Sequence, residues 1–117
     1  MDIESVRTYC LEKKGTTESM PFDNKTLVFK VMDKMFALTS LDTIPLRINL
    51  KCDPGRAVEL REYYDQISPG YHMNKTHWNT VLLDGMLPKS LVDELIDHSY
   101  DLVVQKLPKK LKLKLNK

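Results

Sequence analysis

Apolar residues change their spacing several times along this chain, and each change marks a new element. In residues 2–14, Ile3, Val6 and Cys10 fall on one helical face, Asp2 can cap the helix, and Gly15 stops it. TTESMPFDN then reads as a connector, because Pro21 cannot sit inside a helix and Asp23-Asn24 favours a turn. Alternation follows. TLVFKVM places Leu27, Phe29 and Val31 on one side, Asp33-Lys34 reads as a short turn, and MFALTS returns. The tight turn makes these two strands an antiparallel hairpin. After a loop through Pro45, RINLKC alternates again, with Ile48, Leu50 and Cys52 opposed to Arg47, Asn49 and Lys51.

DPGRAVELREYYD restores helical spacing. Asp53 is a good N-cap, Pro54 fits the first helical position, and Ala57, Leu60 and Tyr64 share a face. Ser68-Pro69-Gly70 breaks the chain, and residues 71–84 read as a second hairpin turning near Asn74-Lys75. A long helix is predicted from Pro88 to Lys106. Leu91, Leu95, Ser99 and Leu102 form one line, which Val92, Ile96 and Val103 widen into an apolar stripe. The order α-β-β-β-α-β-β-α predicts a two-layer α+β domain with a mostly antiparallel sheet.

A length of 117 residues suits a single domain able to bury a core without disulfide or metal. No apolar run approaches the roughly 20 residues that span a bilayer, and the acidic start MDIESVRTYC does not resemble a signal peptide. Cys10 and Cys52 form no CxxC pair, so two reduced thiols in a cytoplasmic protein are expected. The net charge of +2 conceals an asymmetry: all 16 acidic residues lie at or before Asp101, whereas residues 106–117 hold six lysines. Without that segment, 12 basic residues face 16 acidic ones, a formal charge of −4. The chain therefore divides into a mildly acidic domain, residues 1–107, and a basic tail, residues 108–117. The tail alternates at period two, which suits an edge strand, while its lysine density and terminal position favour disorder.

LVFKVMDKMFALTSL, RINLKCDP, PGYHMNKTHWNTV and LIDHSYDLVVQKLPKK together resemble the MmcQ/YjbR family. The resemblance covers about residues 3–110 and stops short of LKLKLNK. It implies a secretion-chaperone-like, YjbR-like α+β fold of order α-β(3)-α-β(2)-α. It further implies DNA binding by a double-wing arrangement of the sheet. No catalytic residue set accompanies the family, and none is carried over.

The stretch GYHMNKTHWNTV concentrates two histidines, a lysine and the only tryptophan. His72 and His77 are too few for a tetrahedral metal site, so no metal is expected. Cys52 beside Asp53 invites a nucleophile reading with His72 or His77 as base, but Cys52 continues the apolar face of Ile48 and Leu50, which makes it a packing thiol. GxSxG, HExxH and P-loop motifs are absent, so the chain is read as no enzyme and as needing no cofactor. Arg47, Asn49 and Lys51 line one strand face, Asn74 shapes the second hairpin's tip, and Lys75 and His77 stand there to meet a partner, with Tyr71 and Trp78 nearby. Lys109 and Lys110 open the tail and add sequence-independent phosphate contacts. Trp78 is expected to anchor its strand against the helices, and His98 to be structural. The leading expectation is DNA held by Arg47, Asn49, Lys51, Asn74, Lys75, His77, Lys109 and Lys110 with little sequence preference. The alternative is a protein-interaction module, homodimeric or with another protein as partner, that uses the sheet face or its aromatic rim. No membrane association is expected.

Overall fold

The computed structural model describes residues 1–70 and 73–117. Helix α1 (Ile3–Leu11) leads into strands β1 (Thr16–Ser19), β2 (Thr26–Val31), β3 (Lys34–Ser40) and β4 (Leu46–Lys51). Helix α2 (Pro54–Tyr63), strands β5 (Ile67–Pro69) and β6 (Trp78–Leu83), and helices α3 (Lys89–Gln105) and α4 (Lys109–Leu115) complete the chain. The strands form one antiparallel sheet in the order β1-β2-β3-β4-β6-β5. The predicted two-layer α+β architecture is present, extended by the edge strand β1 and the terminal helix α4.

One face of the sheet carries the core. Leu27, Phe29, Ala37, Ile48, Leu50, Val81 and Leu83 are buried on it, together with Val6 and Cys10 of α1, Ala57 and Leu60 of α2, and Val92, Leu95, Ile96 and Val103 of α3. Burial of this apolar area is the main stabilising term. The caps are those the sequence implies: the Asp2 carboxylate accepts from the Ser5 N–H at 2.8 Å, and the Asp53 carboxylate from the Arg56 N–H at 3.2 Å. His98 is structural, accepting from the Asp53 N–H at 3.2 Å.

Local details depart from the sequence reading, beginning with TTES, expected in a connector but forming β1 by pairing with β2. The first hairpin turns at Met32-Asp33 rather than Asp33-Lys34, with φ of 49° and 66°. Left-handed backbone at both central residues matches the twist of the flanking strands. Phe36 is the extra residue of a bulge, since Phe29 pairs with Ala37 but Lys30 with Met35. The ascending strand of the second hairpin is β5, so Ser68 and Pro69 lie in a short edge strand where a break was expected. Tyr71 and His72, read from sequence as part of that hairpin, lie outside the described residues.

A further departure is the tail. It forms α4, with Leu115 buried to 6 % exposure and Leu111 packed on the core. Leu111 and Leu115 are one helical turn apart and share a face. Gly15, at φ +72°, admits the helix: a Cβ there would stand 2.5 Å from Leu115 Cδ1.

Candidate functional site

The sequence-predicted residues divide between two surfaces. The first is the sheet face that carries no helix. Strand alternation turns Arg47, Asn49, Thr80 and Leu82 away from the core residues Ile48, Leu50 and Val81. A row of paired positions, Val28, Leu38, Asn49, Thr80 and Ser68, crosses this face from β2 to β5. The Thr80 hydroxyl donates to Asn49 Oδ1 at 2.5 Å. A depression of about 960 Å³ opens above it, lined by Met35, Leu38, Leu82, Arg47, Asn49 and Lys75 among others. Trp78 alternates with Asn79 and Val81, so its ring leaves the sheet on this side and does not anchor β6 against the helices. It is nonetheless buried.

The loop preceding β6 is fixed from α2. Arg61 Nε donates to Asn79 Oδ1 at 2.6 Å, and its Nη2 reaches the carbonyls of Lys75 and, at 3.3 Å, of Trp78. Asn74 shapes the tip as its residue type suggests, its Oδ1 accepting from the Thr76 N–H at 2.9 Å. Gly70 lies so close to this loop that a Cβ would come within 2.8 Å of Trp78 Cβ. Arg61 was not legible as a functional residue, since nothing in the α2 pattern marks which arginine turns toward the loop.

The second surface is one end of the molecule. The C-terminal ends of β2 and β4 and the N-terminal ends of β3 and β6 lie together there, because Val31 pairs with Lys34 and Lys51 with Trp78. The Cys52 N–H donates to the His77 carbonyl at 2.8 Å, which places His77 at this end. Helix α3 arrives by its C-terminal half: Ser99 contacts Phe36 and Lys51, and the Tyr100 hydroxyl donates to the Lys14 carbonyl at 2.6 Å. Helix α4 follows and seats Leu115 against Gly15. Lys14, Lys34, Lys51, Lys106 and the lysines of α4, including Lys109 and Lys110, are thereby gathered from distant parts of the sequence. Among the described residues none of them forms an ion pair, whereas Arg7, Lys13, Lys25, Arg56 and Lys89 each do. Acids border this end as well: Glu12, Asp97 and Asp101 line a depression with Lys14, Asp97 pairing with Lys13, while Asp33 and Asp53 sit in the adjoining turns and the Asp53 carboxylate is committed to its cap. Partial burial, with the positive charge of Lys106 adding to it, holds the Lys51 ammonium below its ordinary pKa.

Neither cysteine is placed for chemistry. Cys10 is fully buried and its thiol pKa is pushed up to about 12 by desolvation. Cys52, at 4 % exposure, is raised by the same cause. Both thiols should therefore resist a disulfide-exchange reagent such as DTNB at about pH 8 and react together on denaturation; fast labelling of the native protein would contradict this packing. The native state holds these protons more tightly than the unfolded chain, whose thiols ionise near pH 8.5. Their stabilising contribution is thus complete below that pH and is lost progressively as pH rises toward the native values. Melting curves across this alkaline range should fall accordingly. Among the described residues no three His, Cys, Asp or Glu side chains gather to hold a metal ion, and no helix is long and apolar enough to cross a membrane.

A single antiparallel sheet with helices on one face, a helix-free opposite face holding the depression and lysines gathered at one end define a small α+β protein. The chain belongs to the YjbR family, whose model matches residues 11–102. It is 38 % identical over 108 residues to the uncharacterised protein YjbR of Escherichia coli K12, covering 92 % of each chain. It is 30 % identical to the uncharacterised protein YyaQ of Bacillus subtilis, covering 85 % of this chain and 95 % of the relative. The crystal structure of Deinococcus radiodurans protein DR2400, a DUF419 domain, superposes with a TM-score of 0.92 at 45 % identity, covering 97 % of this chain and 87 % of that one. That coverage is too broad to omit α4. A Pseudomonas syringae protein matches with a TM-score of 0.75 at 32 % identity, covering 87 % of this chain and 98 % of that one.

Proposed function

We propose that this protein is a non-enzymatic DNA-binding protein that holds the phosphate backbone against its lysine-rich end. The observation that carries this reading is the placement of Lys14, Lys34, Lys51, Lys106 and the α4 lysines at one end, none of them in an ion pair among the described residues. Like charges crowded in one place raise the local potential, and a polyanion relieves it. The rest of the chain is acidic, so contact is directed to this end and sequence reading contributes little. Of the residues expected from sequence, Lys51, His77, Lys109 and Lys110 belong to this surface. Arg47 and Asn49 line the open face, as does Lys75 from the adjoining loop.

The test is anisotropy of a fluorescent duplex titrated at several salt concentrations. The partners are the native chain and a variant with Lys109, Lys110, Lys112 and Lys114 changed to Gln, which leaves Leu111 and Leu115 in place. Affinity for the native chain should fall steeply with salt, and each lysine removed from a phosphate should flatten the log–log slope by about 0.9. Absence of binding at low salt, or a slope unchanged in the variant, would sink the reading.

A further inference from the structure

The open face has a different chemistry from the cationic end, and we propose that it binds an acidic, amphipathic peptide segment of a partner protein. Its floor is apolar and half-buried, formed by Met35, Leu38 and Leu82, with Phe22, 67 % exposed, at the margin. Flexible methionine side chains suit a surface that moulds to varied apolar groups. Arg47 stands on the central strand β4 directly opposite Leu82, and neither it nor Lys75 has a carboxylate partner among the described residues. Of the two acids lining the depression, Asp23 has its carboxylate turned to its own loop, accepting from the N–H groups of Lys25 at 2.9 Å and Thr26 at 2.7 Å. The face thus offers apolar contacts around two cations that pair with no carboxylate among the described residues, while Asp23 and Asp65 keep their charges in the loops before β2 and β5 rather than on the central strands. Charge complementarity selects an occupant that brings carboxylates together with apolar side chains.

A second copy of this chain fits the face poorly, since an isologous pairing sets the same apolar and cationic patch against itself and brings no new carboxylate to Arg47 or Lys75. Strand addition at the sheet edges is restricted as well, because β1 has 4 residues and β5 only 3, ending in Pro69. Recognition therefore falls to side chains across the face, over a width of roughly 25 Å for six strands.

The experiment is selection of displayed random peptides of about ten residues, long enough to cross those strands, against the full chain. Anisotropy of the selected peptides would follow, on native protein and on three variants: Arg47→Glu, Leu38→Gln, and the fourfold lysine-to-glutamine change in α4. Thermal melts verify that each variant is folded, and sedimentation of the native chain and Arg47→Glu reports self-association. Selected peptides should combine Asp or Glu with Leu, Ile or Phe. They should weaken about tenfold or more on Arg47→Glu, weaken on Leu38→Gln, and keep their affinity on the α4 variant. The proposal is overturned if no peptide is selected, if the winners lack carboxylates, or if their binding survives Arg47→Glu. Loss on the α4 variant alone would assign them to the lysine-rich end and overturn it too. A dimer broken by Arg47→Glu would show that a second copy occupies the face instead. The outcome is independent of DNA binding, which the α4 lysines report separately.

Discussion

Replacing Ser99 with alanine is expected to lower stability by about 2–4 kcal/mol and the melting temperature by roughly 10 °C or more. The reason lies where β3 and β4 separate. These strands pair at Ala37 with Leu50, Leu38 with Asn49 and Thr39 with Ile48, and the ladder then stops. The next rung would join Phe36 to Lys51, but Phe36 is displaced by the bulge. The Ser99 hydroxyl bridges the gap, donating to the Phe36 carbonyl at 2.5 Å and accepting from the Lys51 N–H at 2.8 Å. Ser99 is fully buried. Alanine leaves a donor and an acceptor orphaned in the core, each costing about 1–3 kcal/mol. Hydrogen exchange at the Lys51 amide should accelerate in the variant beyond the global loss. A stability change below about 1 kcal/mol, with Lys51 still protected, would mean that the bridge is dispensable.

The second large effect is expected at the last helix. Leu115→Ala should cost about 2–5 kcal/mol, the range for emptying a buried leucine site. Leu113→Ala, at a position 58 % exposed, should stay within about 0.5 kcal/mol. The contrast matters because a helix of 7 residues is marginal on its own and owes its form to docking. Thermal or urea melts of the two variants decide the point. Equal, small effects would mean that α4 contributes nothing to the core.

The division between what could and could not be read in advance follows from where each signal resides. Helices α1, α2 and α3 and strands β2, β3, β4 and β6 declare themselves by apolar periodicity, because each buries one face and the caps at Asp2 and Asp53 are local. Strand β1 has no such signal: TTES contains no apolar residue, and its strand character comes from backbone pairing to β2. The tail misleads for a specific reason. Leucines at every second position suggest a strand, yet Leu111 and Leu115 are also four apart, and the groove at Gly15 selects the helical spacing. Ser99 was visible as a polar residue in the apolar line of α3, but its partners, Phe36 and Lys51, are meaningful only once the bulge is known. The two candidate surfaces were legible by residue type and not by grouping. The antiparallel pairing of strands, rather than any motif, sets Lys34 and Lys51 at one end beside α3, while Arg47 lies at the opposite end of β4.

Helix α4 has one further consequence. The same turn of chain that places Leu115 in the core carries lysines into solvent, so seating the helix and presenting its charge are one equilibrium. A polyanion held by those lysines would act as a ligand for the folded state, raising its stability by about 2.7 kcal/mol at a hundred times its dissociation constant. The reciprocal also holds: a core with Leu115 withdrawn would release the polyanion more readily. The end of the chain would thus operate as a latch, closed by oil on one side and by charge on the other.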